Sequence, residues 1–168
     1  MPDLGDAATT SCPRSRRFFT NFVPMRPVPP IITIFILLVL GAAHVQQWGP
    51  AVILSDGDVV FQPLKINRSG VGNAVSGRVL IYVHKEQELD DVEQRYPSEH
   101  YVLVDDKLRI LTAVKKFWGS RVTTIFVRQG HYAADPKILA SYPPADISIG
   151  GIGDLLQYQL PELLNPKL

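Results

Sequence analysis

One stretch constrains the fold more than any other: four strand-forming residues, 101–104, followed at once by two carboxylates, Asp105 and Asp106. A short buried strand is predicted there, with a helix over 107–118 directly after it. In a parallel α/β sheet, ligands bind outside the carboxyl ends of the strands, so carboxylates at this point face a ligand crevice. Two adjacent carboxylates also suit Mg²⁺, which prefers oxygen ligands. The structural alternative is that Asp105 caps the helix and Asp106 interacts favourably with its first turn.

Apolar runs alternate with helical patterns from residue 46 onward. The apolar runs are rich in β-branched residues, as expected of strands that are covered on both faces. The predicted strands are 51–54, 79–83, 101–104, 122–127 and 147–149, and the predicted helices are 61–68 (a short helix or irregular crossover), 86–96, 107–118 and 152–158. The inner stripe of the helix over 107–118 is predicted to be Leu108, Leu111, Val114, Phe117 and Trp118. This alternation predicts an α/β fold with a Rossmann-like, three-layer parallel sheet.

The first 45 residues have a different character. Residues 1–30 are rich in proline, serine and arginine without any periodicity, which predicts an irregular or disordered arm. Residues 31–45 are apolar but shorter than the roughly 18–20 residues that span a bilayer. Three interpretations stay open: a membrane anchor, a signal peptide with Gly41 and Ala43 before its cleavage point, or a buried segment foreign to the following fold. The predicted core domain is therefore 46–168.

Composition limits the class of function. The 168 residues carry 17 basic and 16 acidic side chains, and no Lys/Arg block follows a groove-like pattern, so nucleic acid binding has no electrostatic support. One globular domain is expected at this length. Cys12 is the only cysteine in the chain, which excludes an internal disulfide framework and favours a reducing compartment. The core domain is accordingly predicted to be cytoplasmic.

Polar residues follow three successive predicted strands. Ser55 ends the first, with Asp56 and Asp58 close behind; Lys85 follows the second, and the acid pair follows the third. A hydroxyl and an ammonium can hold phosphoryl oxygens, while carboxylates hold the Mg²⁺ that neutralises charge during transfer. Each residue alone also has an ordinary structural interpretation, such as a turn serine or a solvated lysine. Their order along the chain predicts a phosphoryl-binding site.

The same order resembles motifs two, three and four of the haloacid dehalogenase superfamily of hydrolases. The resemblance begins near residue 46 and continues to the C-terminus. It is carried by Trp48-Gly-Pro-Ala-Val-Ile-Leu-Ser-Asp-Gly-Asp58, Ile81-Tyr-Val-His-Lys-Glu86, Val104-Asp-Asp-Lys107 and Val127-Arg-Gln-Gly-His-Tyr132.

This resemblance implies a Mg²⁺-dependent hydrolase that cleaves a small phosphorylated substrate through an aspartyl-phosphate. Position by position, Ser55 would bind a phosphoryl oxygen, and Lys85 would steady the charges of the phosphoryl group and the nucleophile. Asp105 and Asp106 would serve the metal, Asp105 more directly. His131, after the fourth predicted strand, is a further candidate for substrate contact.

The family's first motif is a strand followed by Asp-x-Asp, and it should precede Ser55. Its first Asp is the nucleophile, and its second is the general acid and base. Residues 1–43 contain no such motif, because Asp3 and Asp6 have neither the spacing nor a preceding strand. We therefore expect an N-terminally incomplete core without its central strand, inactive by itself. The alternative function is a non-catalytic binding module on the same fold, tethered to a membrane through 31–45.

A second registration also stays open. The strand 51–54 is followed by Asp56-Gly-Asp58 and so itself fits the first motif, with Asp56 as nucleophile and Asp58 as acid and base. The next strand then ends at Val83-His84 and offers no Ser or Thr for the second motif, and Lys85 comes too early. The registration that uses Ser55 explains more positions.

Overall fold

The structure is a computed structural model and describes residues 31–34, 44–58, 60–130, 133 and 135–165. Six parallel strands form one sheet in the order β3-β2-β1-β4-β5-β6. The strands are β1 (Ile31–Ile34), β2 (Ala51–Asp56), β3 (Val79–Tyr82), β4 (Tyr101–Asp105), β5 (Val122–Val127) and β6 (Ile147–Ile149). The α-helices are α1 (Phe61–Arg68), α2 (Val71–Ala74), α3 (Leu89–Arg95), α4 (Leu108–Trp118), α5 (Pro136–Ser141) and α6 (Leu160–Leu164). Short 3-10 segments cover Lys85–Gln87, Gly119–Arg121 and Ile152–Gln157.

The predicted α/β class and parallel sheet are confirmed. All five predicted strands are present, and β5 and β6 have the predicted bounds. The predicted helix over 86–96 is split into a 3-10 turn and α3, and the segment predicted as a terminal helix over 152–158 forms a 3-10 helix instead. The predicted helix over 61–68 has the bounds of α1, and the predicted helix over 107–118 begins one residue before α4.

The central strand, which the sequence analysis expected to be missing, is present. β1 pairs with β2 through Ile34↔Ile53 and with β4 through Ile34↔Val104. Its isoleucine-rich sequence suits a strand that has neighbours on both sides. The segment 31–45 is therefore part of the sheet over its first four residues, and the predicted boundary at residue 46 falls inside the folded unit.

Residues 1–30 and 35–43 lie outside the described residues, so the irregular arm and the cleavage point stay predictions. Within the described ranges, no helix has the length and apolar character needed to cross a bilayer.

Both faces of the sheet are covered. Val102 and Val104 belong to one buried cluster and Tyr101 and Leu103 to the other, because successive side chains of a strand point to opposite faces. Helix α4 packs on the second face through its apolar stripe: Leu108, Leu111, Val114 and Trp118. Phe117 was predicted to belong to this stripe but is 49% exposed. Trp118, four residues after Val114, takes the inward position, and Phe117 meets it edge-on.

Because all six strands are parallel, their carboxyl ends lie along one edge of the sheet. The polar residues that end β2 and β4, and the turn that follows β3, therefore meet there. We call this the carboxyl edge.

Candidate functional site

The carboxyl edge collects most of the residues that the sequence analysis selected. Ser55 and Asp56 are the last two residues of β2, and Asp105 is the last residue of β4. Lys85 begins the 3-10 turn that follows β3. Parallel topology thus brings together residues from three separate parts of the chain.

Lys85 and Asp105 form a buried ion pair. Lys85 Nζ donates to Asp105 Oδ2 at 2.5 Å and to the carbonyl oxygen of Leu54 at 3.2 Å. The Lys85 and Asp105 side chains are only 2% and 1% exposed. The ammonium therefore links the ends of β2 and β4, two strands between which β1 lies in the sheet.

The register of β1 locates this ammonium more closely. Ile34, the last residue of β1, pairs with Ile53 on one side and with Val104 on the other. Leu54 and Asp105, which Lys85 contacts, are the next residues along those two neighbouring strands. Lys85 Nζ therefore lies just beyond the carboxyl end of the central strand.

Asp105 also bonds to the residue that precedes the next helix. Its second oxygen, Oδ1, accepts a hydrogen bond from the backbone N–H of Lys107 at 2.8 Å. Both carboxylate oxygens of Asp105 are thus bonded within the protein. The N-cap residue of α4 is Lys107, so the predicted capping of this helix by Asp105 is not observed.

Asp106 has a different environment. Its Oδ1 atom is buried and has no hydrogen-bond partner in the described part of the chain. Burial, followed by the negative charge of Asp105, raises the pKa of the Asp106 carboxyl group. On its other side, a Cβ added at Gly130, where φ is +89°, would lie 3.4 Å from Asp106 Oδ2. Asp106 is therefore a carboxylate without a compensating donor for one of its oxygens, which is an environment that a cation would improve.

The carboxylates at the carboxyl edge could supply only part of a Mg²⁺ coordination shell. No group of three or more His, Cys, Asp or Glu side chains within the described ranges is arranged to hold a metal ion. Mg²⁺, however, commonly uses one or two carboxylates and completes its shell with water and substrate phosphate. Asp105 and Asp106 supply that number of carboxylates, and Asp106 has the uncommitted oxygen.

Asp56 lies close to both lysines of the site. Its Oδ1 accepts from the backbone N–H of Lys85 at 3.1 Å, and its Oδ2 lies 3.4 Å from Lys107 Nζ. The neighbouring hydroxyl of Ser55 is buried and donates to the Asp56 carbonyl oxygen over a long 3.3 Å. The Ser55 hydroxyl group thus makes one long hydrogen bond at the end of a strand, whereas both oxygens of the Asp56 carboxylate interact with lysine residues.

Asp58 is separated from this group by its hydrogen bonds. Its Oδ1 accepts from the backbone N–H groups of Val60 and Phe61, at 2.6 and 3.1 Å, just before α1. Asp56 and Asp58 thus both accept hydrogen bonds within the protein, and the second registration stays a prediction. His131 lies outside the described residues.

Sequence reasoning missed two contributions to this edge. Lys107 was quoted only as the end of a motif, and its ammonium pairs with Asp56. Glu86 and Arg109 also pair across the edge, with Arg109 Nη1 donating to Glu86 Oε1. The adjacency of Lys107 to the acid pair could have indicated the first contribution. No local pattern indicates the second, because 23 positions separate its partners.

Comparison with known proteins supports the resemblance. No protein-family model and no curated protein matches the chain. Among solved structures, the chain is similar to a protein from Burkholderia xenovorans LB400 that is assigned as a haloacid dehalogenase-like hydrolase, with 59% sequence identity and a TM-score of 0.72. The match covers 76% of this chain and 58% of that protein, so the chain spans a little over half of the length of this relative. The fold, the strand-end residues and this similarity together support the resemblance to the haloacid dehalogenase superfamily.

Proposed function

We propose that the carboxyl edge binds the phosphoryl group of a small phosphomonoester together with Mg²⁺, and that this chain does not hydrolyse the ester by itself. The observation that carries the proposal is the position of Lys85, whose buried ammonium lies at the end of the central strand and contacts Asp105. A fixed cation at the carboxyl end of a parallel sheet is suited to hold an anionic ligand.

The phosphoryl-binding part of the proposal rests on Ser55 and Lys85. The Ser55 hydroxyl makes only one long hydrogen bond, so it can reorient toward a ligand oxygen. Lys85 is held in place by Leu54 and Asp105, which preorganises its charge without ligand. Both residues also match the family's second and third motifs.

The metal part of the proposal rests on Asp106, with Asp105 beside it. The unpartnered Asp106 Oδ1 is the oxygen that would gain most from a cation. When bound there, Mg²⁺ would neutralise charge on the phosphoryl oxygens. The proposal makes Asp106 the more direct metal ligand, whereas the resemblance implied Asp105. The reason is that both Asp105 oxygens already accept hydrogen bonds.

The absence of turnover is proposed from the sequence that follows β1. In the family, the nucleophile follows the first-motif strand, and β1 occupies the central place in the sheet. Residues 35–55 contain no Asp or Glu. Asp56 is engaged by Lys85 and Lys107, and Asp58 is bonded to backbone N–H groups before α1, so we infer that neither replaces the missing nucleophile. The proposed function is therefore that of a binding module that has the fold of the hydrolase family.

Calorimetric titration with inorganic phosphate, with and without Mg²⁺, tests the binding. Ser55→Ala removes the hydroxyl and little volume, and we expect phosphate affinity to fall roughly 5- to 30-fold. Ser69→Ala is the matched control, because the Ser69 hydroxyl bonds only within an exposed turn. If the folded protein binds no phosphate, or if Ser55→Ala binds it as tightly as Ser69→Ala does, the proposal is wrong.

A further inference from the structure

Two cations near the start of α4, Lys107 and Arg109, have no part in the phosphoryl and metal binding proposed above. From them we infer that Lys107 and Arg109 form a subsite for a second anionic group on the phosphorylated ligand, such as a carboxylate. The inference rests on the proposed function and narrows its substrate class to phosphomonoesters that carry another negative charge.

Lys107 is held at the rim of the carboxyl edge. Its backbone N–H is fixed by Asp105 Oδ1 at 2.8 Å, which positions the residue beside the proposed metal carboxylates. Its side chain is 26% exposed, and its ammonium lies 3.4 Å from Asp56 Oδ2. A partly exposed ion pair at this distance is weak. An anionic ligand group can therefore compete with Asp56 for the ammonium.

Arg109 lies two residues after Lys107, and Glu86 anchors its guanidinium group. One guanidinium nitrogen, Nη1, donates to Glu86, whose side chain is 8% exposed, while the Arg109 side chain is 49% exposed. The hydrogen bond that Arg109 donates to Glu86 is the main cause of the raised pKa of Arg109, and the charge of Asp56 also contributes. Asp56 is thus within electrostatic reach of both cations. A guanidinium anchored on one side retains donors for a carboxylate on the other.

Another lysine of α4, Lys115, makes purely structural contacts and serves as a comparison for Lys107. Lys115, near the other end of α4, donates to the carbonyl oxygen of Val122 and to Asp146 Oδ2, both at 2.8 Å. Its contacts tie α4 to β5 and to the loop before β6. The ammonium of Lys107 instead faces the site and meets a residue of the site, over a longer distance.

Two ligands that differ in one group test the inference: 3-phosphoglycerate, which carries a carboxylate, and glycerol 3-phosphate, which carries a hydroxymethyl group in its place. We expect the protein with Mg²⁺ to bind the carboxylate compound about 5- to 10-fold more tightly. Lys107→Gln should reduce this preference to less than about twofold, because it weakens binding of 3-phosphoglycerate more than binding of glycerol 3-phosphate. Lys107→Arg should keep most of the preference.

Lys116→Gln is the matched control, because it removes the same charge from an exposed position on the same helix. Equal binding of the two ligands by the unmodified protein would overturn the inference alone. An unchanged preference in Lys107→Gln, or an equal loss in Lys116→Gln, would also overturn it. Failure of both ligands to bind would overturn the proposed phosphoryl site, and the inference with it.

Discussion

Lys85 Nζ and Asp105 Oδ2 lie 2.5 Å apart in the interior of the carboxyl edge, where a lysine that follows one strand meets a carboxylate that ends another. A buried pair of this kind costs desolvation energy on both sides, so its presence is not by itself a source of stability. It does, however, make each partner dependent on the other. The pair therefore explains why two residues of the site are also structural.

Replacing Asp105 with Asn should destabilise the protein strongly. The change leaves the Lys85 ammonium buried with one neutral partner in place of a carboxylate, and loss of one member of a buried pair typically costs about 3–5 kcal/mol. Urea unfolding of Asp105→Asn gives the free energy of unfolding directly. A loss below about 1 kcal/mol would show that the pair is hydrated or loosely held.

A double variant tests separately whether the charges of this pair are needed for stability and for phosphate binding. Lys85→Met with Asp105→Leu removes both charges, and we expect it to recover most of the lost stability, since apolar replacements of a buried ion pair are often neutral or stabilising. The same variant should not bind phosphate. Urea unfolding and calorimetry of the unmodified protein, Asp105→Asn and the double variant should then show that the double variant recovers stability but not phosphate binding.

Asp106 should make Mg²⁺ a stabilising ligand of the folded protein. Binding to the folded state alone adds about 1.4 to 2.7 kcal/mol to the free energy of unfolding at 10 to 100 times the dissociation constant. We expect Mg²⁺ to raise the Tm of the unmodified protein but not that of Asp106→Asn. Asp90→Asn, which changes an exposed acid on α3, is the control. An equal Tm rise in Asp106→Asn would place the ion elsewhere.

Asp146 should give the protein part of its acid sensitivity. Burial favours the neutral carboxyl group, but hydrogen bonds from Lys115 and Thr124 outweigh it and lower the pKa of Asp146. Because the pKa is lower in the folded state than in the unfolded state, the stabilisation is present above the unfolded value and is lost as the pH falls through the folded value. Asp146→Asn should cost about 1–2 kcal/mol at pH 7.

The measurement for Asp146 is urea unfolding of both proteins between neutral and acid pH. The difference in unfolding free energy between the unmodified protein and Asp146→Asn should shrink as the pH falls, because protonation removes the charge that the variant lacks. A difference that stays constant over the whole range would contradict the lowered pKa.

Gly130 should be sensitive to substitution for two reasons. Its φ of +89° is unfavourable for residues with a Cβ, and an alanine Cβ would lie 3.4 Å from Asp106 Oδ2. Gly77, where φ is +74° and a Cβ would meet nothing within 4 Å, shares only the first reason. We expect both alanine variants to lose about 1 kcal/mol, but only Gly130→Ala to weaken the Mg²⁺-induced rise in Tm. Equal Mg²⁺-induced rises in Tm in the two variants would show that Gly130 does not influence the metal carboxylates.

Much of the fold follows from short-range patterns. The β-branched run of β5 predicted its bounds, because side chains buried on both faces leave few alternatives. The gathering of Ser55, Lys85 and Asp105 followed from topology, since parallel strands end at one edge. β1 was harder to predict, because an isolated apolar run suits a membrane anchor as well as a strand until its two neighbours are known.

The side-chain contacts were less predictable than the fold. Lys107 and Asp56 are 51 positions apart, and Glu86 and Arg109 are 23 positions apart. Each contact depends on the conformation of a turn that lacks a distinctive sequence pattern. The exposure of Phe117 had a similar cause: two adjacent aromatic residues compete for one inward position on α4, and helical periodicity alone does not choose between them.

The most direct test of the account is turnover of para-nitrophenyl phosphate with Mg²⁺, measured on the purified, folded chain beside Asp56→Asn and Asp105→Asn. The account predicts phosphate binding by the unmodified chain but no turnover above background in any of the three proteins. Turnover by the unmodified chain that is abolished in Asp56→Asn would contradict it. In that case Asp56 would be the nucleophile, and the chain would be a complete enzyme with β2 as its first-motif strand.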